Sequence, residues 1–172
     1  MNKLKFLTIA VIVVLVVLSV LRIRLDAQGS YMDMLKSEVT TSDPPSIQMY
    51  YYIEKYSQEF EIPRNYAYGI AHCETRYGGP FDWNYKHAQT SFAGAVGPMQ
   101  VMVATAKFVN KETVTKEKLR TDIQYNVRTS MKLLRYLKDK YGDWKTVFGC
   151  YNTGRPMINQ YALNVYNFQP KW

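Results

Sequence analysis

The chain has 172 residues, 47% of them hydrophobic and 15% aromatic, and carries a formal net charge of +8. It is too apolar and ring-rich for a disordered chain, long enough for one well-cored domain, and with only Cys73 and Cys150 too poor in cysteine for a disulfide scaffold. Residues 1–45 hold five basic and four acidic groups, so nearly all the excess positive charge lies beyond them, a field that draws polyanions in general: nucleic acid, anionic lipid or acidic wall polymer.

Residues 6–21 form an uncharged, nearly all-aliphatic run of 16, with Lys3 and Lys5 before it and Arg22 and Arg24 after it. As a helix it rises about 24 Å; snorkelling Lys5 and Arg22, with Ile23 and Leu25 beyond, extend it towards the roughly 30 Å of a hydrocarbon core. A cleaved signal peptide is the rival reading, but residues 21–26 offer no small-residue cleavage site. The run is therefore expected to be a single transmembrane helix within an N-terminal anchor over 1–25, its orientation left open by positive charge at both ends. Residues 26–45 read as a polar stalk stopping at Asp43-Pro44-Pro45, and 46–172 as the soluble domain.

Within that domain Ser46 is the expected N-cap of a helix with Met49, Ile53, Tyr56 and Phe60 at helical spacing. A second helix, mostly apolar, runs from Asn65 to Tyr77 and is closed by Gly78-Gly79-Pro80. After a loop rich in glycine and aromatics, Pro98 is expected to open a helix over 99–109. Asp122 caps a long amphipathic helix carrying Ile123, Val127, Leu134, Leu137 and Tyr141, ended by Gly142. Asp143 opens a short helix to about Tyr151, Gly154 breaks it, and a last helix covers roughly 157–167. No alternating strand exceeds four residues, so the domain is predicted to be mostly α.

Glu74 is the most informative acid. It sits in the last turn of an otherwise apolar helix, where the macrodipole and loss of water both disfavour ionisation. A carboxyl still protonated near neutrality is what general acid cleavage of a glycoside requires. The plain alternative is a surface glutamate pairing with Arg76. Ordinary glycosidases use two carboxylates, yet between Glu74 and Lys111 the only other acid is Asp82. Unless Asp82 faces Glu74, the substrate must supply its own nucleophile. In the segment 91–100, Gly94 and Gly97 permit close backbone approach to a ligand, and Gln100 offers a donor and an acceptor to a sugar amide or hydroxyl.

The set Glu74-Thr75-Arg76-Tyr77, Ser91-x-x-Gly94-Ala95-x-Gly97-x-Met99-Gln100, Asn126-Val127-x-x-Ser130-x-x-Leu133-Leu134 and Tyr151-Asn152-Thr153-Gly154 resembles the soluble-lytic-transglycosylase type of lysozyme-like domain. Tyr161 matches that family's late tyrosine, and the resemblance covers roughly residues 48–167. Thr75, Pro98, Val103, Ser130, Leu133 and Cys150 depart from the family pattern without removing a group the chemistry needs. The resemblance implies a mostly α lysozyme-like fold (the goose-type lysozyme/transglycosylase domain) behind the N-terminal helix. It further implies cleavage of the β-1,4 bond between N-acetylmuramic acid and N-acetylglucosamine, with formation of a 1,6-anhydro-muramoyl end. In that scheme Glu74 is the catalytic acid and base. Ser91, Gln100, Asn152 and Tyr161 orient it and the N-acetyl group, and Met99 and Tyr151 line the groove.

The partners so implied are peptidoglycan glycan strands and, through the N-terminal run, a membrane, with the domain facing the wall in a bacterium or a phage virion. No cofactor or metal is expected, because His72-Cys73-Glu74 lacks the P-C-x-x-C partner of a zinc deaminase. No nucleic-acid-binding motif accompanies the charge. Three alternatives stay open: a goose-type lysozyme using water, a non-catalytic wall-binding or virion module, and a Cys–His hydrolase built from Cys73 or Cys150 with His87. Both cysteines read first as core thiols, with a bond between them as a further alternative.

Overall fold

The computed structural model describes residues 12–23 and 38–172. Residues 12–23 are helical (α1) with exposed side chains. The remainder of the expected anchor over 1–25, and most of the stalk, lie outside the described residues. Among the described residues no helix is long and apolar enough to cross a membrane. The expected transmembrane helix is therefore not supported by α1.

Val39–Trp172 forms one compact unit. It includes residues ahead of 46 because local hydrogen bonds tie them down. The Thr40 N–H and hydroxyl both donate to the Asp43 carboxylate, and Gln48 Nε2 donates to the carbonyls of Thr41 and Asp43. The unit is helical: α2 (Pro45–Glu59), α3 (Arg64–Thr75), α4 (Val103–Asn110), α5 (Lys116–Thr121), α6 (Ile123–Tyr141), α7 (Trp144–Thr153) and α8 (Gln160–Tyr166). There is no strand among the described residues, only isolated bridges pairing Val96 with Thr90 and with Val101.

Local chemistry explains most helix ends. Asp122, Asp143 and Asn159 each accept a hydrogen bond from a first-turn N–H, and Gly142 and Gly154 follow the ends of α6 and α7 with positive φ. Four expectations are corrected, and one helix is new. The second helix ends at Thr75, where Arg76 turns left-handed, rather than at Tyr77 before Gly78-Gly79. Helix α2 opens at Pro45, so Ser46 is a buried first-turn residue rather than the cap. Pro98 does not open a helix; α4 starts only at Val103, because Gln100 takes a left-handed backbone (φ 47). Helix α5, capped by Thr115, was not anticipated. The last helix starts at Gln160, later than expected.

Helix α6 buries Ile123, Val127, Met131, Leu134 and Leu137 at i, i+3 and i+4 spacing and forms the spine of the core. It packs against α2, α4 and α7; α7 packs on α8, and α8 returns to α3. Tyr66 of α3 joins this arrangement, stacking on Tyr166 and meeting Trp144 and Phe148. Past α7 the chain doubles back over Gly149 so closely that a Cβ there would stand 1.7 Å from the Met157 carbonyl oxygen. That crossing delivers α8 onto α3.

Candidate active site

The last turn of α3 carries Glu74, and the left-handed Arg76 (φ 61) stops the helix directly after it. Helix α8 presents Tyr161, whose Oη donates to Glu74 Oε1 at 2.6 Å. Burial pushes the Glu74 carboxyl up to about 7, with the Tyr161 bond acting in the opposite direction by favouring the carboxylate. Burial and the neighbouring carboxylate in turn push the Tyr161 hydroxyl well above its ordinary value, so it remains a donor. Glu74 is thus poised to give and take a proton near neutral pH.

Across from Glu74 runs the loop 90–102, which is held by long-range polar contacts. The buried Thr75 Oγ1 donates to the Pro98 carbonyl at 2.8 Å and receives the Tyr85 hydroxyl at 2.8 Å. Asn126, fully buried on α6, uses its whole amide: Oδ1 accepts from Met99 N–H (2.9 Å), and Nδ2 donates to Val96 O (2.9 Å) and Leu119 O (2.8 Å). Gly97 (φ 78) is required at this place, since a Cβ would stand 2.4 Å from Asn126 Nδ2. Gln100 Nε2 donates to Gly97 O at 2.9 Å, leaving its side-chain oxygen as the acceptor for a ligand. The Ser91 hydroxyl accepts from Ala95 N–H at 3.0 Å. From α7, Tyr151 Oη donates to Met99 O at 2.7 Å and receives the Ser130 hydroxyl. Asn152 Oδ1 accepts from Asn159 Nδ2 at 3.1 Å.

These elements enclose an open groove of about 750 Å³ whose lining includes Glu74, Ser91, Gln100, Tyr151 and Asn152. Two predicted site residues sit elsewhere. Met99 is wholly buried and supports the groove through its backbone, so it does not line it. Tyr161 holds Glu74 from behind. Glu74 is the one carboxylate among the groove's described lining residues. Asp82 lies beyond the end of α3, against Gly78 and on the side of Tyr77 and Tyr85. Cys73 and Cys150 are free thiols, and His87 sits in a different depression beside Thr121 and Asp122, away from the groove Cys150 lines.

Sequence reasoning noted Asn126 and Thr75 within motifs but assigned them no part in the site. Asn126 did carry a signal, an amide on the apolar face of an amphipathic helix between Ile123 and Ser130, where only full hydrogen bonding makes it tolerable. Thr75 carried none, because its partner Pro98 is 23 residues away.

A family model described as Transglycosylase SLT domain matches residues 51–171, a stretch that includes every residue of the groove described above. No curated protein matches the chain.

Proposed function

This chain belongs to the transglycosylase SLT domain family, and on that premise we propose that it is a peptidoglycan lytic transglycosylase. Peptidoglycan cleavage of the lytic type is what the family implies in general. The specific reaction proposed is scission of the bond between N-acetylmuramic acid and N-acetylglucosamine with closure of a 1,6-anhydro ring.

The observation that carries this reading is a single half-buried carboxyl, pushed up to about 7, facing a groove with no second acid among its lining residues. Protonated Glu74 gives its proton to the glycosidic oxygen as the C1–O bond breaks. The resulting carboxylate, steadied by Tyr161, takes the proton of the muramic acid C6 hydroxyl as O6 attacks C1. Glu74 ends the cycle protonated, and no water is consumed. Gln100 and Asn152 offer amide groups at the groove wall to the sugar N-acetyl and hydroxyl groups, and Tyr151 lines the same groove.

Digestion of purified sacculi by the full chain, with products read by mass spectrometry, tests the proposal. Anhydro-muropeptides one water lighter than hydrolytic fragments are expected; reducing-end products would replace the proposal with a lysozyme mechanism. The proposal also places the domain on the wall-facing side of a membrane, tethered by residues 6–21, on the strength of their uncharged composition and basic flanks. Retention of the full chain in the membrane pellet after alkaline extraction is expected, and its release would remove the tether from the proposal.

A further inference from the structure

The groove continues past the catalytic centre. Phe108 of α4 and Tyr136 of α6 line it and also line an adjoining depression of about 520 Å³ on the α4–α6 face, bordered by Lys111, Lys132 and Arg135. Their rings meet edge to face at 5.2 Å, yet they are 57% and 41% exposed, an aromatic pair left facing water where the two cavities join. The surrounding charge is unbalanced. Arg135 is satisfied by Asp139 and Glu61, whereas Lys111 and Lys132 have no ion-pair partner among the described residues. The depression's one acid, Asp139, is the one committed to Arg135.

We infer that this depression is a second binding site, which receives the carboxylate-bearing peptide stem of the strand seated in the groove. The inference rests on the proposed function, since it takes the groove's occupant to be peptidoglycan. In that polymer the peptide branches from muramic acid beside the scissile bond and carries free carboxylates along a backbone with small apolar side chains. Unpaired ammonium groups suit the carboxylates, and the ring pair suits the apolar part. A bare neutral glycan would have no use for the lysines.

The test compares kcat/KM of the full chain on glycan chains bearing their stems with the same chains stripped by an amidase. Wild type is expected to favour the stem-bearing substrate about tenfold, as two partly exposed charge contacts of up to about 0.7 kcal/mol each would provide. Raised salt is expected to erode that preference. In the Lys111→Gln/Lys132→Gln double variant, with an unchanged melting temperature as the fold control, the ratio is expected to fall towards one. A wild-type ratio of one, a ratio the double variant leaves intact, or equal losses on both substrates, the signature of general attraction to a polyanion, would each overturn the inference. Anhydro products in those cases leave the proposed function standing, whereas their absence from both substrates overturns the two together.

Discussion

The two walls of the groove are built in opposite ways. The wall formed by loop 90–102 is irregular in backbone yet over-determined: one buried amide, Asn126, and one buried hydroxyl, Thr75, tie it to α6 and to α3 itself. The other wall, Asn152, Thr153 and Gly154 at the end of α7, is exposed, with the Asn152–Asn159 bond bracing it. Glu74 faces both. Proton transfer tolerates little positional error, which the buried ties of the first wall limit, whereas the exposed polar groups of the second stand open to a long polymer.

The contrast is tested most severely at the carboxyl itself. Glu74→Gln is expected to lower turnover on sacculi by a hundredfold or more, roughly the worth of a positioned general acid, while circular dichroism stays native. The same change reveals what the rigid wall costs. Because the folded carboxyl sits near 7 and an ordinary one near 4.5, the folded protein holds its proton more tightly than the unfolded chain does. Wild-type stability from this group is complete below about 4.5 and lost as pH rises through about 7, on the order of 3 kcal/mol. Glu74→Gln should therefore melt higher than wild type at pH 8, with the difference shrinking by pH 5. A pH-independent difference would show that the carboxyl is not held protonated.

Asn126→Ala comes next. It strands the Met99 N–H and the Leu119 carbonyl in the core, each worth about 1–3 kcal/mol, while the Val96 carbonyl keeps its bond from Val101 N–H, so a loss of at least about 2 kcal/mol is expected in urea denaturation. Tyr161→Phe should act more gently and with a definite sign. Removing the bond that favours the carboxylate raises the Glu74 pKa, so the alkaline limb of the pH–kcat profile is expected to move upward while kcat falls about tenfold. A limb moving downward would show that Tyr161 does not support the charged form. The smallest effect belongs to the exposed wall: Asn159→Gly, which keeps a tolerated helix cap, should leave stability within about 1 kcal/mol and alter KM rather than kcat.

What could be read from the amino-acid string follows the range of the interactions. Asp122, Asp143, Gly142 and Gly154 act within one turn of their own helix, so the ends of α6 and α7 were legible. Glu74 was legible for the same reason, an acid in the last turn of an apolar helix. Pro98 misled because its local preference was overruled from afar: Asn126, 27 residues from Met99, and Thr75, 23 residues from Pro98, claim the groups that a helix there would have used. Met99 was placed in the groove by its motif neighbours, but the same tie turns its side chain into the core and leaves its carbonyl to Tyr151. The bond that steadies the carboxyl comes from α8, 87 residues away from Glu74, beyond the reach of any local pattern.

The crossing at Gly149 works as a gauge block. With a hydrogen atom the only thing between α7 and the carbonyl of Met157, the returning chain lies as low as main chain can lie on a helix. The height of α8 above α3, and with it the reach of one phenolic hydroxyl, is set by this main-chain contact together with the stack of Tyr66 on Tyr166. A single methyl group at that place is expected to lift the clasp from the carboxyl it holds.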